Sequence, residues 1–110
     1  MSNIISVVLD GKHGPDGKLV EGKCVRRIVP IDLDKEEERG DVQWFFDADA
    51  GEDRWGLGNA EQGWWRIVDA YEWDDATVRL HEGKYPVAFH MPEPEFAKRV
   101  REANANDVKN

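Results

Sequence analysis

The sequence predicts an α+β protein in which a small, mostly antiparallel β-sheet is followed by a C-terminal α-helix over about residues 94–104. Short segments rich in β-branched and aromatic residues alternate with glycine-containing turns, which is typical of neighbouring antiparallel strands. The last segment instead places apolar residues at helical spacing. A chain of 110 residues has the size of one domain, so we expect residues 1–110 to form a single globular domain.

The N-terminal part predicts a β-hairpin. Residues 3–9 are rich in β-branched side chains and are followed by an Asp-Gly pair, which is typical of a buried strand. Residues 11–18 contain three glycines and a proline and predict a turn. A second strand is predicted over about 19–31, with an interruption near Gly22.

Residues 32–40 leave two interpretations open. In a short helix, Asp34 is the N-cap, Glu37 is its capping-box partner and Gly40 ends the helix in the left-handed conformation. The alternative is a solvated acidic loop without secondary structure.

The central segment combines a strand, a loop and an ambiguous element. Residues 41–47 predict a strand with aromatic side chains, whereas residues 48–63 contain four glycines and predict a long loop. Residues 64–73 fit a strand or a helix. The aromatic enrichment and the preceding Gly63 favour a strand, with one face formed by Trp65, Ile67, Asp69, Tyr71 and Trp73.

The C-terminal part predicts a second hairpin and the helix. Residues 76–81 and 86–90 are predicted strands joined by a turn at 82–84. Pro94 suits the first position of a helix, which would pack on the sheet through Phe96, Ala97, Val100 and Ala103. We expect the tail from 104 to 110 to fray.

Negative charge is concentrated in one segment. Residues 31–75 hold fifteen Asp and Glu against four Lys and Arg, whereas the chain as a whole has a net charge of −8. If these carboxylates share a surface, that surface repels phosphate and attracts basic surfaces. Direct binding of nucleic acid is therefore disfavoured, since it requires clustered Lys and Arg.

The sequence offers no specific signal for catalysis, a metal or a cofactor. The chain has two serines and one threonine, without a nucleophile motif around them. The three histidines lack metal-binding spacing, and the single Cys24 cannot build a structural zinc site. Residues 47–58 faintly resemble a calcium loop, but Glu52 and Gly58 stand where that loop has glycine and glutamate. We expect no enzyme activity, no metal and no cofactor.

The sequence also predicts a cytoplasmic location. The N-terminal apolar run is too short for a signal peptide, and no segment approaches the roughly 20 apolar residues of a membrane span. A single cysteine excludes an internal disulfide and favours a reducing compartment.

The predicted function is the binding and inhibition or neutralisation of a basic partner protein, of the kind that handles nucleic acid. Trp55 is the predicted exposed anchor, because it lies in a glycine-rich segment between acids. In composition, though in no motif, the chain resembles bacterial and phage inhibitor and immunity proteins, including nucleic-acid mimics of the anti-CRISPR or anti-restriction type. The predicted partner-binding residues are Asp32, Asp34, Glu36, Glu37, Glu38, Asp41, Asp47, Asp49, Glu52, Asp53, Trp55, Asp74 and Asp75.

Two other functions stay open. The chain could be a β-domain that binds a small ligand or carbohydrate through Trp55, Trp64 and Asp69, or an accessory subunit of a larger complex. No membrane contact is expected. Both a monomer and a homodimer, paired through sheet edges, are compatible with the sequence.

Overall fold

A computed structural model describes residues 3–23, 26–81 and 90–109 and confirms the predicted fold class. Five longer strands form one antiparallel sheet in the order β2-β1-β5-β4-β3, and the short β6 pairs with β5. None of the helices in these ranges is long and apolar enough to cross a membrane. In chain order the elements are β1 (Ile4–His13), β2 (Arg27–Asp32), α1 (Glu36–Gly40), β3 (Val42–Asp47), β4 (Glu52–Asn59), β5 (Gly63–Tyr71), α2 (Asp75–His81), β6 (His90–Met91) and α3 (Glu93–Lys109).

The N-terminal hairpin is confirmed, although β1 is longer than predicted. β1 pairs with β2 from Ile4↔Asp32 to Leu9↔Arg27 and continues into the predicted turn as far as His13, whereas β2 begins only at Arg27 and not near residue 19. Its pairing with β5 shifts register between Leu9 and Lys12, where Gly11 has a φ of +81°. The left-handed glycine lets the strand absorb this irregularity and carry on.

The prediction of a loop over 48–63 is wrong, because half of this segment is the strand β4. A tight turn joins it to β3: Asp47 Oδ1 accepts hydrogen bonds from the backbone N–H groups of Asp49 and Ala50, each at 3.1 Å. Gly56 within β4 serves close packing rather than chain flexibility. A Cβ atom there would lie 2.7 Å from two ring carbons of Phe45, so only glycine lets that ring cover the strand.

The strand interpretation of residues 64–73 is confirmed by β5, but its predicted single face is not. A register shift places Ile67 opposite Leu9 and Asp69 opposite Val8 on β1. Since neighbouring residues of β1 point to opposite sides of the sheet, Ile67 and Asp69 do not continue one face.

The helix interpretation of the acidic segment is confirmed by α1, but its predicted caps are wrong. The N-cap position is Lys35, which makes no side-chain capping bond, and Gly40 lies inside the helix without a positive φ. Asp32 and Glu38 fasten the segment instead: Asp32 Oδ1 accepts from the Asp34 N–H, and Glu38 Oε1 accepts from the Asp32 N–H.

The predicted strand at 76–81 is also wrong, because these residues form α2. Asp74 Oδ1 accepts the Thr77 N–H at 2.8 Å, and the hydrogen bonds from Thr77 hold the pKa of Asp74 below its usual 3.8. Asp75 and Arg79 form an i,i+4 ion pair. The turn at 82–84 and residues 86–89 of the predicted strand lie outside the described residues, as does Cys24.

The helix α3 is confirmed and covers one face of the sheet. Phe96, Val100 and Ala103 join the main core, as predicted, and the helix continues beyond residue 104 to Lys109. The sheet contributes most of the other buried members of that core, and Leu33 comes from the segment between β2 and α1; these members are Ile5, Val7, Leu9, Ile31, Leu33, Val42, Ala70 and Met91. α2 packs on β1 and β2, where Ser6 and Val8 point away from this core and are also buried.

Candidate functional site

The hairpin formed by β3 and β4 carries an exposed aromatic and acidic surface. Trp44 lies directly opposite Trp55, and Phe46 lies opposite Asp53, so these four side chains share one side of the hairpin. Trp44 is 51% exposed and Phe46 is 56% exposed. We call these four residues the aromatic–acidic face. No strand of the described residues pairs with the outer edge of β3.

The aromatic–acidic face lies beside α3, on the same side of the sheet. The ring of Trp55 makes edge contacts with Trp44 and with Phe96, with centroids 5.0 and 5.3 Å apart. Trp55 is therefore half-buried, and the prediction that it is exposed is wrong. The exposed aromatic side chains of this face are Trp44 and Phe46, and Trp44 packs on the Trp55 ring.

A recess of about 290 Å³ adjoins this face where the sheet is interrupted. β5 pairs with β4 as far as Arg66 and with β6 from Ala70, and the recess lies along the stretch between these two pairings. Its apolar lining comes from Trp55, Ile67, Val68, Ala70, Met91 and Phe96, and its polar lining from Glu52, Asp53, Arg54, Asp69, His90 and Glu93.

The recess is electrostatically negative. Four carboxylates line it against one guanidinium, that of Arg54, which is already engaged by Glu52 at 2.7 Å and by Asp47 at 3.0 Å. His90 Nε2 lies 2.8 Å from Asp69 Oδ1 and ties β6 to β5 at the mouth of the recess. A cation is therefore favoured in this recess and an anion is disfavoured.

The opposite side of the hairpin is closed and structural. Phe45 stacks on Trp64 with ring centroids 5.0 Å apart, and the tilted ring of His13 also contacts Phe45, with centroids 5.3 Å apart. The Trp64 indole N–H donates to Gln43 Oε1 at 2.9 Å. The loop after β1 joins this cluster, because the Ala48 N–H donates to the Gly17 carbonyl at 2.9 Å.

Asp47 is the polar centre of this closed side. Its carboxylate lies 3.0 Å from Arg54 Nε, outside hydrogen-bond geometry, and 3.4 Å from His13 Nε2. Burial raises the pKa of Asp47. The hydrogen bonds from the N–H groups of Ala50 and Asp49, together with the charges of His13 and Arg54, lower this pKa by more than burial raises it. The resulting pKa lies below the usual 3.8.

His13, Asp47 and Asp49 are the described residues that could hold a metal ion, since each has a ligand atom within 4.8 Å of the others. The carboxylate oxygens of Asp47 and Asp49 already contact other groups. Asp49 Oδ2 accepts the Leu19 N–H at 2.6 Å, and Arg54 occupies the side of Asp47 that a cation would need. This arrangement fastens the 14–23 loop to the hairpin and does not favour a metal.

The predicted partner-binding acids separate into distinct groups. Asp34, Glu36, Glu37 and Asp41 are exposed along α1, on the side of the sheet that α3 covers, while Asp32 and Glu38 are partly buried in the contacts that fasten α1. Asp74 and Asp75 belong to the start of α2, which packs elsewhere on the sheet. Asp49, Glu52 and Asp53 surround the hairpin turn, and Asp47 is buried beneath it.

Sequence reasoning missed Trp44, Phe46, His90 and Glu93 as surface residues of this site. Along β3 the apolar Val42, Trp44 and Phe46 share one side, and Phe45 shares the other with the polar Gln43 and Asp47, so alternation predicts that Trp44 and Phe46 are buried, whereas both are exposed. His90 and Glu93 reach the site only through the pairing of β6 with β5.

No protein-family model matches this sequence, and comparisons with curated proteins and with solved structures find no significant similarity. The functional argument therefore depends on the geometry of this chain.

Proposed function

We propose that this chain is a non-catalytic acidic protein that binds and neutralises a basic, nucleic-acid-handling partner protein. One observation carries the proposal: Trp44 and Phe46 are exposed on β3, whose outer edge pairs with no strand of the described residues, directly beside acidic residues and the negative recess. Exposed apolar patches often mark sites of protein interaction, and tryptophan is enriched among the residues that dominate the binding energy of interfaces.

The negative charge around these rings favours a basic protein as the partner. Asp53 and Glu93 are exposed, and the exposed acids of α1 lie on the side of the sheet covered by α3. A phosphate backbone would be repelled from such a surface, whereas a basic protein surface would be steered towards it. A basic surface that normally holds nucleic acid fits this description, and its occupation by carboxylates would block that function.

The structure narrows the set of residues that we assign to the interface. The centre is the aromatic–acidic face together with Glu93, and the acids of α1 contribute long-range attraction. Glu52 is left out because it lies opposite Asp47 and is engaged by Arg54. Asp47 is removed from the contact set because it is buried, and Asp74 and Asp75 because they are engaged at the start of α2.

The experiment is affinity capture from a nuclease-treated host lysate with stepped salt elution and mass spectrometry. The bait proteins are the wild type, the aromatic variant W44S/F46S and the charge variant D53K/E93K. The matched control is E21K/E61K, which makes the same change in net charge at two exposed acids. Glu21 lies in the loop after β1, and Glu61 at the opposite end of β4 from the recess.

We expect one basic protein to be captured by the wild type and the control, released at moderate salt, and lost from both interface variants. Retention by an aromatic variant with an unchanged circular dichroism spectrum would contradict the proposed surface. Equal loss from the control would show that net charge alone is responsible and would also contradict it.

A further inference from the structure

The recess beside the aromatic–acidic face is shaped for one group of a partner rather than for a cofactor. Its volume of about 290 Å³ lies at the lower limit of small-molecule sites, which run from about 300 to 1,000 Å³. It opens where β5 changes pairing partner from β4 to β6, so its base is formed by the residues around Val68. A single long side chain is the natural occupant of such a space.

The lining combines aromatic rings with carboxylates. Trp55 and Phe96 contribute rings from the strand and the helix, and Asp53, Asp69 and Glu93 contribute carboxylates. A flat cation can stack on an aromatic ring while its edge donates hydrogen bonds to carboxylate oxygens. The guanidinium group of arginine does both at once, whereas the ammonium of lysine is a compact and strongly hydrated charge.

The positive groups at the recess do not oppose this occupant. Arg54 is neutralised by its contacts with Glu52 and Asp47, and His90 uses one oxygen of Asp69, which has a second oxygen. The first turn of α3 presents a positive helix end near the recess, and Glu93 and Glu95 in that turn offset it.

We propose that this recess binds the side chain of one arginine of the basic partner. The inference deepens the proposed function and depends on it for the identity of the donor, but the recess can be tested without the partner. It assigns Asp69 and Asp53 as the residues that hold the guanidinium, and Trp55 as the ring on which it stacks.

The test is an NMR titration of the full ¹⁵N-labelled chain with N-acetyl-arginine amide. N-acetyl-citrulline amide, which is uncharged but has nearly the same shape, is the control compound, and N-acetyl-lysine amide tests the preference for guanidinium. We expect saturable shifts of the Trp55 indole N–H and of the backbone amides of Asp69 and Met91 with the arginine compound alone. In D69N and D53N the affinity should fall at least about tenfold, as expected for the loss of a charge-assisted contact. In E61Q the affinity should be unchanged.

Three results would overturn the proposal: no saturable shifts, shifts of equal size with the citrulline compound, or equal affinity for the lysine compound. The spectra of D69N and D53N report folding directly, so a lost site is distinguishable from a lost fold. If arginine does not bind but capture still depends on Trp44 and Phe46, the recess proposal fails and the proposed function stands. If arginine binds and capture does not depend on those residues, the proposed function fails and the recess remains an arginine site.

Discussion

The two sides of the β3–β4 hairpin use similar residues for opposite purposes. Phe45 is 3% exposed and lies between His13 and Trp64, whereas its neighbours Trp44 and Phe46 are 51% and 56% exposed. Asp47 is 3% exposed, whereas Asp53, two residues after the turn, is open to solvent. Alternation along a strand separates the side chains that stabilise the hairpin from those that are available to a partner.

This comparison shows that acidity alone does not identify an interface. Asp47 and Asp53 belong to the same acidic segment and to the same hairpin, yet the first carboxylate accepts hydrogen bonds from two backbone N–H groups and lies within 3.4 Å of the Arg54 and His13 side chains. The second has no ion pair among the described residues and borders the recess. Substitutions at matched positions on the two sides should therefore have opposite consequences.

The largest expected difference is between Phe45→Ala and Phe46→Ala. Removing Phe45 leaves a cavity between Trp64, His13 and Gly56, and should lower the free energy of unfolding by about 3–5 kcal/mol. Removing Phe46 costs only a cross-strand contact, about 0.2–1 kcal/mol. Urea unfolding followed by tryptophan fluorescence measures both. Equal losses of stability would contradict the division between the two sides.

The second expected difference is between Asp47→Ala and Asp53→Ala. Asp47→Ala removes two turn hydrogen bonds and the carboxylate that faces Arg54 and His13. We therefore expect it to lower the free energy of unfolding by about 2–3 kcal/mol. The ion pair with Arg54 contributes little to this loss, because it is partly exposed. The second should stay within about 0.5 kcal/mol. The order should reverse for binding of N-acetyl-arginine amide, which Asp53→Ala should weaken more than Asp47→Ala does in its folded fraction, because Asp53 lines the recess and Asp47 reaches it only through Arg54. Unchanged stability of Asp47→Ala would show that the contacts of the Asp47 carboxylate do not stabilise the hairpin.

The main features of the fold could be predicted from local sequence patterns. The β-branched run of β1 and the helical spacing of Phe96, Val100 and Ala103 each have one consistent interpretation, and both are confirmed. The prediction of the loop over 48–63 failed because glycine occurs both in loops and in strands where another group packs closely against the backbone. Gly56 and Gly58 were interpreted as signs of a loop, but they lie in β4, where Phe45 and the chain at Gly63 approach too closely for a side chain.

The candidate site was less predictable, for a physical reason. Its residues come from β4, β5, β6 and α3, and only the interruption of the sheet brings them together. The sequence identified Asp53 and Trp55 by composition, and it included Asp69 only in the alternative small-ligand function. Whether an aromatic residue such as Trp44 or Phe45 faces the core is decided by what covers each side of an edge strand, and that information is not local.

The smallest expected effect is the pH dependence of the closed side, and it follows from the lowered pKa of Asp47. Because the folded-state pKa lies below the usual 3.8, the unfolded chain takes up a proton on this residue first as the pH falls. The stabilisation that Asp47 contributes is therefore fully present above its unfolded-state pKa and is lost as the pH falls through its folded-state pKa. The difference in unfolding free energy between the wild type and Asp47→Asn should shrink as the pH falls below about 3.8. Asp74 titrates with the same sign in both proteins and cancels.

Phe46→Ala, which removes no titratable group, should differ from the wild type by the same amount at every pH. Urea unfolding from pH 2.5 to 7 measures the three proteins, and a constant difference for Asp47→Asn would show that its ionised carboxylate does not stabilise the closed side of the hairpin.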